Sequence, residues 1–161
     1  MEMTGQMTDW KIRDLFEIIR MNFSKFYNPS EHLAVDEVIV KFKRRVLFRQ
    51  HIPKKRKRCG IKMFKLCDST GYTYDMNVYL GKDRQRVAQH LTATHATVTN
   101  LTRVVEGFGH KLHMDNFYSS PDLFDDLAKK KISCCGTVRL NRKGMPKDFK
   151  SKTLRLKRGD I

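Results

Sequence analysis

The chain has 161 residues, room for one domain with a real core, and its 33 lysines and arginines against 17 acids leave a net charge of +16. That surplus favours a polyanionic partner, nucleic acid ahead of a membrane surface. No stretch approaches a membrane span, and the first apolar cluster, Leu15 to Phe26, is interrupted by Glu17, Arg20 and Lys25 and is no signal peptide.

From Asp9 to Phe26, apolar residues at Trp10, Ile12, Leu15, Phe16, Ile19 and Phe23 fit an amphipathic helix, broken by Asn28, Pro29 and Ser30. Leu33 to Lys43 reads as a strand rich in β-branched residues, with Asp36 in phase with Val38, Val40 and Phe42. A basic loop follows, with five consecutive cations from Lys54 to Arg58. Gly60–Cys67 and Tyr72–Leu80 make a hairpin around the turn Asp68-Ser69-Thr70-Gly71.

Lys82 to Asn100, rich in Thr and His, gives no clear period and is partly a loop on this reading. A short helix is expected from Val98 through Leu101 and Val105, stopped by Gly107 and Gly109, then a short strand from His110 to Asp115. The next helix has the best end signals: Ser119 or Ser120 as cap, Pro121 in the first turn, Asp122 at the positive end and Lys129–Lys131 at the negative end. Ile132 to Leu140 is a strand, and Leu154 and Leu156 begin another within the basic tail. Strands interleaved with helices in this order give a mixed sheet flanked by helices, the α/β class.

Two acids carry the chemistry. Asp36 and Asp115, 79 positions apart, fall within or at the end of runs that read as buried strands. An acid so placed is costly unless paired or bound to a cation, and two of them in a basic chain suggest a divalent-metal site acting on phosphates. The residues alone leave plainer readings open: Asp36 as a strand-end acid paired with Lys or Arg, and Asp115 as a turn acid opening the Asn116–Ser119 loop. Glu37 is expected on the opposite face from Asp36, in a structural role.

The cysteines Cys59, Cys67, Cys134 and Cys135 form no CxxC pair and have no His at finger spacing, so they read as reduced thiols. His90, His95, His110 and His113 likewise lack a zinc-ligand pattern.

The motifs VDEVIVKFKRR, FRQHIPKK, GIKMFKLCDSTGYTYDMNVYLGK, HMDNFYSS and GTVRLNRKGMP, in this order from about Tyr27 to Lys157, resemble the transposase domain of piggyBac-type elements and their host-derived relatives. The resemblance implies a ribonuclease-H-like fold in which the first and fourth main strands are neighbours. It makes Asp36 and Asp115 two members of a DDD triad that binds Mg²⁺ and cuts and joins DNA. The family's third Asp lies downstream of the basic NRKG motif, and Asp148 and Asp160 lack its context. The expectation is therefore a helical segment at 1–30 followed by a partial, C-terminally incomplete transposase domain at 31–161, with Mg²⁺ bound weakly or not at all and no catalysis by this chain alone. Two alternatives stand beside it: a fragment of an active Mg²⁺-dependent transposase, and a basic module that binds protein or RNA.

DNA contact is the expected surviving activity, with no small-molecule substrate. Twelve lysines or arginines and no acid lie between Val38 and Cys67, and nine more with only Asp148 between Thr137 and Gly159. The candidate contacts are Lys54, Lys55, Arg56, Lys57 and Arg58 in the first run and Arg139, Arg142 and Lys143 in the second. The bland reading is a solvated face, or for KKRKR a nuclear-import signal, which goes with an expected nuclear location. Phe117 and Tyr118 are read as core aromatics rather than base-stacking platforms.

Overall fold

A computed structural model of the chain describes residues 7–53, 58–81, 91–146 and 149, with the side chains of the first helix described from Arg13 onward. Lys54, Lys55, Arg56 and Lys57 lie outside the described residues, as does the strand expected around Leu154 and Leu156.

The described elements are α1 (Met7–Phe26), β1 (His32–Lys41), β2 (Arg49–His51), β3 (Cys59–Asp68), β4 (Thr73–Val78), α2 (Ala93–Thr102) with a following 3-10 turn (Arg103–Val105), β5 (Lys111–Met114), α3 (Pro121–Lys129) and β6 (Ser133–Gly136). They form one six-stranded mixed sheet in the order β2-β3-β1-β5-β6, with β4 sharing the outer edge of β3 beside β2. β1 runs antiparallel to β3 and parallel to β5, and β5 runs parallel to β6.

Strand alternation decides which side chains meet the core. Leu33, Val35 and Ile39 of β1 are buried, as are Phe64 and Leu66 of β3 and Leu112 and Met114 of β5. Most of these close a single cluster against Val98 and Leu101 of α2 and Leu123 and Leu127 of α3. α3 starts as its end signals require: Ser120 accepts the amide of Leu123, Pro121 opens the first turn and Asp122 follows. α2 begins at Ala93, five residues before the expected start at Val98, capped by Thr92, and its buried face includes His95, Thr97 and Thr102. Polar residues on the inner face hide the helical period from a hydrophobicity count.

At the hairpin between β3 and β4, the Asp68 carboxylate accepts from the Thr70 amide and hydroxyl, the Tyr72 amide and the Tyr27 hydroxyl. Burial pushes its pKa up, but these hydrogen bonds outweigh it and hold the group at about 2. α1 is tied to β4. Arg20 donates through Nε and Nη2 to both oxygens of the buried Asp75, and Tyr72 donates to the Phe23 carbonyl. Gly136 is where β6 crowds β5: a Cβ there would stand 2.2 Å from the Met114 carbonyl oxygen and 2.8 Å from Ser119 Oγ.

Candidate functional site

β1 and β5 pair in parallel with Val35 opposite Met114. Asp36 and Asp115 are the next residue on each, so the two acids follow one paired position side by side. Val35 and Met114 face the core, and the acids therefore leave the other side of the sheet. Both are exposed. The expectation of acids inside buried strands does not hold, because the β-branched run of β1 buries its Leu33-Val35-Ile39 phase and leaves the Asp36 phase more open.

Each carboxylate is held by its own backbone. Asp36 Oδ1 accepts the Glu37 amide at 2.7 Å, and Asp115 Oδ1 accepts the Phe117 amide at 2.9 Å. Lys65 sits directly across from Asp36 on β3, yet neither acid closes an ion pair among the described residues. Asp115 does open a turn: its carbonyl accepts the amides of Tyr118 and Ser119 and the Ser119 hydroxyl.

Sequence reasoning missed what ties these ends together. Glu37, in the core-facing phase of β1, accepts the buried Tyr118 hydroxyl at 3.2 Å. Burial, then the charge and hydrogen bond of Glu37, then the charges of Asp36 and Asp115 push the Tyr118 phenol far above its usual range. One hydroxyl therefore feels all three carboxylates. Glu37 lies on the face opposite Asp36, as expected, and what the sequence did not give was its donor, Tyr118, though an acid on a core face needs one.

Of the candidate DNA contacts, Arg58 is exposed at the start of β3, and Arg139 and Lys143 are exposed after β6. Ile132 to Leu140 was expected as one strand, but β6 ends at Gly136 and the chain leaves the sheet. It returns to the loop after Asp115: Arg139 Nη2 lies 3.5 Å from Asn116 Oδ1, and Arg142 Nη2 donates to the carbonyls of Asn116 and Phe117. Phe117 is half-buried with the Lys62 ammonium over its ring, and Tyr118 lies in the core.

The histidines are otherwise engaged. His95 Nε2 stands 3.2 Å from Asp126, His110 contacts the Ser30 carbonyl, and His113 contacts His32, while His90 lies outside the described residues. All four cysteines are free thiols. Among the described residues, no group of three or more His, Cys, Asp or Glu is close enough to hold a metal ion, and no helix is long and apolar enough to cross a membrane.

Residues 5–161 match the profile of the DDE-type transposase family described as Transposase IS4. The chain belongs to this transposase family. A cryo-EM structure of a piggyBac transposase synaptic complex with hairpin DNA matches with a TM-score of 0.82 at 29% identity, over 91% of this chain and 31% of that one. The transposase domain thus spans about a third of the length of that relative. The match supports the fold expected from the motifs: the six-stranded mixed sheet flanked by helices is that of a transposase catalytic domain, with its first long strand beside the one that leads into HMDNFYSS.

Proposed function

We propose that this transposase domain supplies two metal-binding carboxylates, Asp36 and Asp115, and a basic surface that holds DNA beside them, and that by itself it is catalytically incomplete. The observation that carries this is the pair of exposed acids at one step beyond Val35 and Met114, without an ion-pair partner among the described residues, in a chain of net charge +16. Carboxylate oxygens presented from neighbouring strand ends are the hard donors that a divalent cation prefers.

The residues fit Mg²⁺ in kind but not in number. Hard oxygen donors suit it, and fixing Oδ1 of each acid on a backbone amide orients the remaining oxygen. Three protein ligands are not gathered among the described residues. The remaining positions fall to water, to DNA phosphate oxygens or to a further carboxylate. Such an ion, held by Asp36 and Asp115, would supply Lewis acidity toward a phosphate.

Arg139 contacts the loop that follows Asp115, with Lys143 four residues further on, and Arg58 lies roughly 22–24 Å along the sheet from Asp36 by strand rise. A DNA backbone crossing from one basic segment to the other would pass the acids. Lys54, Lys55, Arg56 and Lys57 extend the first segment, and the same run would direct the protein to the nucleus. The Arg20–Asp75 pair, which ties α1 to β4, supports a helical segment at 1–30 serving as an addition to a domain of residues 31–161.

Mn²⁺ titration followed by electron paramagnetic resonance tests the carboxylate pair. Weak binding abolished by either Asp36→Asn or Asp115→Asn is expected, and binding indifferent to both removes the reading. Plasmid nicking with Mg²⁺ or Mn²⁺ tests the incompleteness. Robust cleavage lost in Asp36→Ala would show an active enzyme instead. Competition between duplex DNA, RNA and an acidic protein at fixed salt tests the partner, and preference for either of the latter two removes DNA.

A further inference from the structure

The second basic run contains one arginine that does not behave as a surface cation. Arg142 sits at the corner shared by two consecutive turns, its amide donating to the Arg139 carbonyl and its carbonyl accepting the Met145 amide. Gly144, at φ +85, faces Pro121 at the start of α3, where a Cβ on the glycine would stand 3.3 Å from the proline Cβ. From that corner the guanidinium points inward. Nη2 donates to the Phe117 carbonyl at 2.6 Å and to the Asn116 carbonyl at 3.2 Å, and Nε is enclosed without a hydrogen-bond acceptor among the described residues. Among the described residues Arg139 makes only its long contact to Asn116, and it remains exposed.

The partner carbonyls matter. The Asn116 carbonyl and the Phe117 amide belong to one planar peptide unit. Arg142 grips the oxygen of that unit, and the N–H of the same unit donates to Asp115 Oδ1 at 2.9 Å. A charged donor on the carbonyl fixes the plane and strengthens the amide as a donor through the conjugated unit. The direction in which Asp115 presents its other oxygen is thereby set by a residue 27 positions later in the chain.

We propose that Arg142 is a positioning residue for Asp115: it clamps the Asn116–Phe117 peptide and so aims the carboxylate, rather than contacting a DNA phosphate. The proposal rests on the reading of Asp115 as a metal ligand and separates two roles that the basic composition of the segment merges. Lysine cannot replace arginine in such a clamp, because one guanidinium nitrogen carries two directed donors on a rigid fork, whereas an ammonium is a point charge on a flexible stem. At a phosphate contact, lysine serves nearly as well.

The experiment compares Arg142→Lys, Arg142→Gln and Arg139→Gln with the unmodified chain in two measurements: Mn²⁺ affinity, and the salt dependence of binding to a short DNA duplex. Arg142→Lys is expected to weaken Mn²⁺ by roughly tenfold or more, as the loss of a group orienting a ligand does, with the salt slope unchanged. Arg139→Gln is expected to do the reverse, lowering the slope by about 0.9 with Mn²⁺ affinity intact. Wild-type Mn²⁺ affinity in Arg142→Lys overturns the proposal, and so does a reduced slope at constant Mn²⁺ affinity in Arg142→Gln. Should Arg142→Gln fail to fold, Arg142→Lys decides alone. If wild-type Mn²⁺ binding ignores Asp36→Asn and Asp115→Asn, the metal reading is what fails. The clamp is then judged by amide exchange: faster exchange at Phe117 in Arg142→Lys, with β1 core amides unchanged, keeps it, and unchanged Phe117 exchange removes it.

Discussion

The Tyr118 hydroxyl donates to Glu37 Oε2 at 3.2 Å across 81 positions of sequence. Tyr118 lies three residues after Asp115 and Glu37 one residue after Asp36, so this bond closes the end of the β1–β5 pair from beneath, while the two acids leave the opposite side. Tyr118→Phe keeps the core volume and removes the donor. Glu37 retains other interactions, so a loss of about 1 kcal/mol is expected, near the ordinary worth of one hydrogen bond. Urea denaturation measures it. Mn²⁺ affinity should fall in the same variant, because the spacing of the strand ends is no longer fixed.

The Arg20–Asp75 pair makes a larger prediction. Asp75 is 2% exposed and receives both Arg20 nitrogens. Arg20→Ala strands a buried carboxylate whose remaining contact is the Met76 amide, and a cost of about 3–5 kcal/mol follows for breaking one half of a buried pair. Replacing both partners together, Arg20→Met with Asp75→Leu, should recover much of that loss. Thermal or urea unfolding of the single and double variants checks the ordering, and a double variant no better than Arg20→Ala contradicts it.

Asp68 sets an acid limit. Its carboxyl is held at about 2 in the folded chain against about 3.9 for a free aspartate. A depressed folded pKa means that the stabilisation is fully present above about pH 4 and is lost as pH falls through 4 toward 2. Asp68→Asn should lower stability at neutral pH and flatten the decline over that window, which unfolding midpoints measured at successive pH values report directly. An equally steep decline in the variant would assign the acid limb to other groups.

Gly136 predicts a steric effect without any change of backbone region. An alanine Cβ would collide with the Met114 carbonyl, and a carbonyl within a strand ladder yields poorly. Gly136→Ala should cost about 1–3 kcal/mol, the usual range for overpacking, and should expose the β5–β6 amides to faster exchange. Gly71 has open space around its Cβ position but a φ of +87°, so Gly71→Ala should destabilise through backbone strain alone and leave those amides protected.

Local structure was largely legible in the residues. The Ser120-Pro121-Asp122 start of α3, the Asp68–Gly71 turn and the extent of β1 all act within a few positions, and each appears close to where its chemistry puts it, although the buried phase of β1 is the one opposite Asp36. The three-residue β2 went unread because Arg49, Gln50 and His51 carry no strand period and owe their place to the edge of β3. The early turns of α2 were hidden by His95 and Thr97, polar residues that face inward. The neighbour relation of β1 and β5 is of another kind. No periodicity encodes it, and it came from the fold that the resemblance implies. Arg142 is the sharpest case: composition put it on a basic surface, and only the three-dimensional return of its segment to Asn116 gives its guanidinium an inward task.

The central position of β1 also shapes how the molecule is made. Its antiparallel partner β3 leaves the ribosome soon after it, but the parallel partner on its other side begins at Lys111, which pairs with His32 from 79 positions downstream. Until that stretch is synthesised, a newly born chain presents the His32–Val35 side of β1 with its amides and carbonyls unmet, the kind of edge to which other nascent chains adhere. Holding factors that recognise extended apolar segments should therefore matter most while the residues between β1 and β5 are being synthesised, and lose their grip on this edge once HKLHMD has docked.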